Sequence, residues 1–208
     1  MQLNLKEMTR YTICSFLVLL SFTCLSQKND RFNAIDNYLD SMMDPNEEIL
    51  IIKEKISSNQ TLFIFQGTIS IDPISKKTER YDGVNETLYI EKQWKMMKNK
   101  YGDSLPKIGR YWLKDQFWNA DDFRYKKIEF ENYEICDKKL QSYSYPWPNK
   151  KIFSFSKPIY YKNKGYIVFT VTKSTTKSIG LSSNFIIIMK KIKNKWTIYA
   201  KVSSPIMN

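Results

Sequence analysis

Histidine is absent from this chain, and cysteine occurs only three times in 208 residues. Without imidazole there is no Ser-His-Asp or Cys-His nucleophile pair, no histidine-ligated zinc and no ring that titrates near neutrality. Catalysis, if any, falls to carboxylates, Lys, Tyr, Ser or backbone groups. The sequence also holds no phosphate-binding glycine loop, no nucleophile elbow and no EF-hand spacing. The expectation is therefore a chain without cofactor or metal, and not an enzyme of any common hydrolase type.

Two of the three cysteines, Cys14 and Cys24, lie in a leader. Lys6 and Arg10 precede an uncharged apolar and small-residue run from Thr12 to Cys24, and Cys24 and Ser26 stand three and one positions before a cut ahead of Gln27. That layout reads as a secretory signal peptide, residues 1–26, followed by a single domain over 27–208. The run is short for a bilayer span, which needs about 20 apolar residues. An uncleaved anchor and a lipid on Cys24 are the alternatives; Phe22 is bulky where a lipoprotein signal carries a small residue. The expected address is the periplasm, the cell surface or the medium. Cys136 then stands alone, so packing and not a disulfide must hold an exported domain together, and Cys136 itself reads as a small buried apolar residue.

The chain carries +12, of which +11 falls on residues 27–208. Such a balance favours anionic partners, although a Lys-, Asn- and Ile-rich composition has the same effect without any partner. No specific nucleic-acid signal is present, and no span remains once the leader is gone.

The last quarter organises the rest. Phe153 to Tyr161 alternates Phe with Ser, Lys162 to Gly165 is a turn, and Tyr166 to Lys173 alternates again, with Ile167, Phe169 and Val171 on one face. After a Ser/Thr/Lys loop, Asn184 to Ile192 is a strand covered on both faces. Lys193 to Lys195 turns the chain, and Trp196, Ile198, Ala200 and Val202 alternate on a final strand. Upstream, Phe32, Ile35, Leu39 and Met42 predict a helix over Asp30–Met43. Asp44 and Pro45 open a second helix carrying Ile49, Ile52 and Ile56. Thr61 to Ile71 has strand composition with Gly67 as a bulge, and Asn85 caps a helix over Glu86–Tyr101 ended by a left-handed Gly102. Ile128, Phe130 and Ile135 predict one or two more strands. The fold class is α+β: N-terminal helices and one central helix on a curved antiparallel sheet that ends in two consecutive hairpins.

One segment suggests a site. Trp112, Asp115, Trp118, Asp121 and Asp122, joined by Tyr145 and Trp147, offer rings to stack on a sugar and carboxylates to take its hydroxyls. The plainer alternative is that these rings are core. A carboxylate pair could run glycoside hydrolysis without His, but Asp121 and Asp122 are neighbours and would diverge on a strand. A second feature is the set of basic turns, Lys162 and Lys164 with Lys193 and Lys195, which share one end only if the strand order allows; Lys173 and Lys177 would extend that rim.

At Leu25-Ser26-Gln27-Lys28, Phe155-Ser156-Lys157-Pro158-Ile159-Tyr160 and Asn194-Lys195-Trp196-Thr197-Ile198, the chain resembles uncharacterised secreted proteins of Bacteroidetes-type bacteria. The resemblance covers the leader and last quarter and implies an exported domain; it carries no catalytic residue. The expected function is a non-catalytic envelope or secreted protein that binds a glycan or other macromolecule through an aromatic and basic surface. The alternatives are a carboxylate-dependent hydrolase of an envelope polysaccharide and a module for an envelope protein partner.

Overall fold

The computed structural model describes residues 30–72, 74–76, 78–104, 112–125, 127–142, 148–177 and 183–203. The leader lies outside them. The fold is α+β, built on a seven-stranded mixed sheet with two small two-stranded sheets beside it.

Helix α1, residues 30–42, buries Phe32, Ile35, Tyr38 and Leu39. Its stripe ends on Met43, while Met42 is 41% exposed. The expected second helix does not form. Asp44 to Glu47 makes one turn, with the Glu47 amide donating to the Asp44 carbonyl, and the chain enters β1, Ile49–Ile52. This strand runs parallel to two others, β6 (Ile128–Glu131) and β7 (Lys151–Phe155), and all four of its side chains are buried. A strand covered on both faces needs an unbroken apolar run, and Ile49–Ile52 supplies one that the capping signal at Asp44 does not override. The sheet is accordingly mixed, not antiparallel throughout.

β2, Glu54–Ile56, leads to the second correction. Where strand composition predicted a strand from Thr61, the chain forms helix α2, Ser58–Gln66. Ser57 caps it: its Oγ accepts from the Asn59 amide at 3.1 Å and donates to Asp103 Oδ2 at 2.7 Å, while that carboxylate takes the Ser58 amide as well. Gln60, Thr61, Leu62, Ile64 and Phe65 are all buried, so the helix has no polar face to give it a readable period. Gly67, expected as a bulge, ends this helix at φ +76°, and a Cβ there would stand 2.2 Å from the Tyr81 carbonyl oxygen. β3 (Thr68–Ile71) and β4 (Thr78–Tyr81) then pair antiparallel.

Asn85 holds a turn through the Leu88 amide, and helix α3 begins later than expected, at Glu91–Tyr101; Gly102 after it is extended. β5, Trp112–Phe117, pairs with β2. After β6 the chain forms helix α4, Tyr133–Gln141, in place of a further strand. Ile135 is 43% exposed, and Cys136 is the buried residue, packed with Leu50, Ile52 and Ile152.

β8 (Ile159–Tyr161), β9 (Tyr166–Thr175), β10 (Ser183–Ile192) and β11 (Lys195–Ser203) complete the sheet in the order β11-β10-β9-β7-β1-β6, with β8 also on β9. Phe153, Phe155, Ile167, Phe169, Phe185 and Ile187 face α1, and Val168, Ile186 and Ile188 face α2 and α3. The final strand keeps no single face. The β10–β11 register shifts between Ile188 and Met189, leaving Tyr199 outside the pairing, so Trp196 packs on the α1 side and Ala200 and Val202 on the other. Among the described residues no helix is long and apolar enough to cross a membrane.

Candidate anion-binding end

The residues singled out from sequence separate in space. Trp118 is 2% exposed; its ring meets Phe32 and Phe123, its Nε1 donates to the Phe155 carbonyl at 3.1 Å, and Lys55 Nζ stands 4.5 Å from its centroid. It presents no face to a ligand, because β5 ends where the core between α1 and the sheet begins. Trp112, half-buried, stacks on Tyr133 with centroids 4.0 Å apart. Asp115 is exposed on β5. Asp122 folds back to accept from the Asn119 amide, capping the single 3-10 turn Ala120–Asp122. Tyr145 and Trp147 lie outside the described residues.

Asp121 reaches a concavity, a cleft of about 610 Å³ lined also by Phe123, Arg124, Tyr125, Ile128 and Phe130. Its Arg124 and Tyr125 are engaged. Arg124 gives its amide to Asp36 at 2.8 Å and its guanidinium to Asp36, Asn37 and Asp40, and Tyr125 Oη donates to the Glu47 carbonyl. Burial raises the Asp36 carboxyl above the ordinary carboxylate range, with Arg124 pulling the other way. These bonds fix the segment against α1; they do not aim an acid and a nucleophile at one point. Among the described residues no group of three or more Cys, Asp or Glu could hold a metal ion.

The strand order does what the sequence left open for the basic turns. β8 and β10 pair with β9 on opposite sides, with Tyr161 and Lys190 both in register with Tyr166, so the 162–165 and 193–194 turns emerge at the same end of the sheet. Both are tight: Lys162, Asn163 and Lys164 have φ of 46°, 50° and 67°, and Lys193 and Asn194 have 46° and 63°. Backbone in this region turns within two or three residues and throws the lysines outward. α1 starts here too. The Asp30 carbonyl accepts from Trp196 Nε1 at 2.9 Å, its carboxylate pairs with Lys191 at 3.0 Å, and Arg31 lies 5.8 Å from the Tyr160 centroid.

No family model, curated protein or solved structure matches the chain. The chemistry of this end therefore rests on its own side chains.

Arg31, Lys162, Lys164, Lys190, Lys191, Lys193 and Lys195 converge there, interleaved with three tyrosines. Lys162 and Lys190 approach the Tyr166 ring, Lys190 also approaches Tyr199, Lys164 approaches Tyr160, and Tyr166 and Tyr199 meet edge to face at 5.4 Å. Among the described residues, Asp30 is the carboxylate that answers this group, and it pairs with Lys191. The opposite end differs. Lys150 is held by Glu48 and Glu129, and Lys151 by Glu47, so these two cations are matched within the chain. Lys173, expected to extend the basic rim, lies at that far end with Lys177; burial and then the nearby Lys151 and Lys201 push its ammonium below the ordinary lysine range. Sequence reasoning found the turn lysines but not Arg31, Lys190 or the tyrosines. Their signal was the parity of β9, which places Tyr166 at the start of a strand beside a lysine turn.

Proposed function

We propose that this chain is an exported, non-catalytic protein of the cell envelope that binds an anionic macromolecule or surface through the turn end of its sheet. What supports the reading is the convergence of seven cations on one end, of which, among the described residues, Lys191 is the one held in an ion pair. A cluster of one sign on a rigid sheet attracts a dense array of negative charge, and the tyrosines add apolar ring surface between the charges. The two closing β-hairpins, with a curving of the sheet toward them, present that end. Export is part of the same reading, from the leader and the resemblance.

The test is a titration of the full chain with hyaluronate, an acidic polysaccharide, against neutral dextran at low and high salt. Saturable binding to hyaluronate that weakens with salt, with none to dextran, is the expected result. Equal binding to dextran would refute the reading and move the site to a neutral-sugar platform.

One observation favours a protein partner instead. β6 bonds to β1 through alternate residues, with Ile49 donating to the Lys127 carbonyl and Lys53 to that of Glu131, so the backbone groups of Ile128 and Phe130 point away from β1 at the edge of the sheet, and both residues line the cleft. An extended segment of an envelope protein would pair there as an added strand.

A further inference from the structure

Resting on that reading, we propose that the anionic partner of the turn end is a lipid surface. Two observations distinguish it from an acidic polymer. First, the end carries exposed apolar side chains as well as cations: Ile192, 50% exposed, pairs with Lys195 next to the turn, Ile198, 37% exposed, lies opposite Met189 on the other face of the sheet, and Tyr199, 45% exposed, meets Tyr166. A polysaccharide gains nothing from exposed isoleucines, whereas a bilayer interface takes aliphatic side chains below the headgroups, tyrosine at their level and lysine among the phosphates. Second, the chain enters the domain at this end. Asp30, pinned by Trp196 and Lys191, is six positions after Cys24, where the apolar run Thr12–Cys24 stops. Six residues reach at most about 20 Å when fully extended. Where the leader is retained or Cys24 is lipidated, the two alternatives to a cut ahead of Gln27, this end and not the opposite one stays within reach of the headgroups.

The experiment uses the full chain with vesicles of mixed phosphatidylglycerol and phosphatidylcholine, with vesicles of phosphatidylcholine alone, and with soluble hyaluronate. Amine-reactive labelling is read residue by residue by mass spectrometry. The expected result is protection of Lys162, Lys164, Lys193 and Lys195 on the mixed vesicles, with Lys138 and Lys177 labelled as in free protein, and loss of that protection on phosphatidylcholine alone. Replacing the four turn lysines by glutamine lowers partition to mixed vesicles by roughly a thousand-fold, taking each lysine near an anionic surface at its usual worth; replacing them by arginine retains it. Labelling of the unaltered chain does not depend on any variant folding. Unchanged labelling on mixed vesicles with protection by hyaluronate overturns the lipid assignment and leaves the anion-binding reading standing. Unchanged labelling with both overturns the two together. Equal protection on both kinds of vesicle overturns the role of charge, since the apolar leader alone would then set the contact.

Discussion

Removing one buried hydroxyl tests how the misread helix α2 is held to the sheet. Thr61 is fully buried and its Oγ1 lies 2.9 Å from Ser156 Oγ and 2.8 Å from Thr170 Oγ1. Ser156 Oγ also takes the Thr170 amide at 2.8 Å. Thr61→Val keeps the shape and deletes the oxygen, leaving the Thr170 hydroxyl without its Thr61 partner and Ser156 with one bond fewer. An unsatisfied buried hydroxyl costs about 1–3 kcal/mol, and the second loss is partial, so the variant is expected to be about 2–3 kcal/mol less stable. Adding Thr170→Val removes the orphan created by the first change. The double variant should then recover at least about 1 kcal/mol relative to Thr61→Val, a coupling that independent sites do not show. Urea unfolding followed by far-UV circular dichroism reads this as a lower midpoint at unchanged slope, partly restored in the double variant. A Thr61→Val chain as stable as the parent, or strictly additive losses, would refute the network as the link between α2 and the sheet.

Trp118→Ala should cost about 3–5 kcal/mol by the same assay, as a large core ring does, and the tryptophan fluorescence of the parent should not respond to neutral dextran. A folded Trp118→Ala chain of parental stability would return that ring to the surface. The Cys136 thiol is pushed up to about 12, chiefly by burial, so it should resist a thiol reagent at neutral pH and react on unfolding in urea. Fast labelling of Cys136 itself in the native chain, read apart from Cys14 and Cys24 by mass spectrometry, would contradict its place on the buried face of α4. Asp36 has its folded pKa raised, so the folded state holds that proton more tightly than the unfolded one. Stability is thereby expected to fall as pH rises from the unfolded carboxyl pKa, near 3.9, through the folded value, and Asp36→Asn should flatten that slope. An unchanged slope in the variant would assign the pH response to other carboxyls.

The strands of the last quarter were legible because β9 alternates cleanly and both of its neighbours are marked by tight turns with lysine and asparagine. β1 was half legible: an isoleucine run suits a buried strand, but Asp44 and Pro45 beside it imitate a helix start. α2 was not legible at all. Its residues are those of a strand, and it is helical because Asp103, far along the chain, completes its cap and because the space between α3 and the sheet buries Leu62, Ile64 and Phe65 together. α4 escaped for the opposite reason, since Ile135 points outward and its one fully buried residue, Cys136, is small, while Tyr133 and Leu140 are only partly buried. At the site, lysine turns were visible, but their meeting depends on β8 and β10 both choosing β9, a long-range pairing that no local pattern encodes. The Trp112 to Asp122 segment read as a binding surface because exposed and core aromatics have the same composition; only Trp118's contacts with Phe32, Phe123 and Phe155 separate them.

The most direct measurement compares two variants of equal net charge in binding to hyaluronate. In one, Lys162, Lys164, Lys193 and Lys195 become glutamine; in the other, the exposed Lys114, Lys138, Lys177 and Lys201 do. Loss of binding in the first with near-parental binding in the second is the expected result. Equal weakening in both would mean that the chain attracts anions by overall charge alone, and that the turn end is no site.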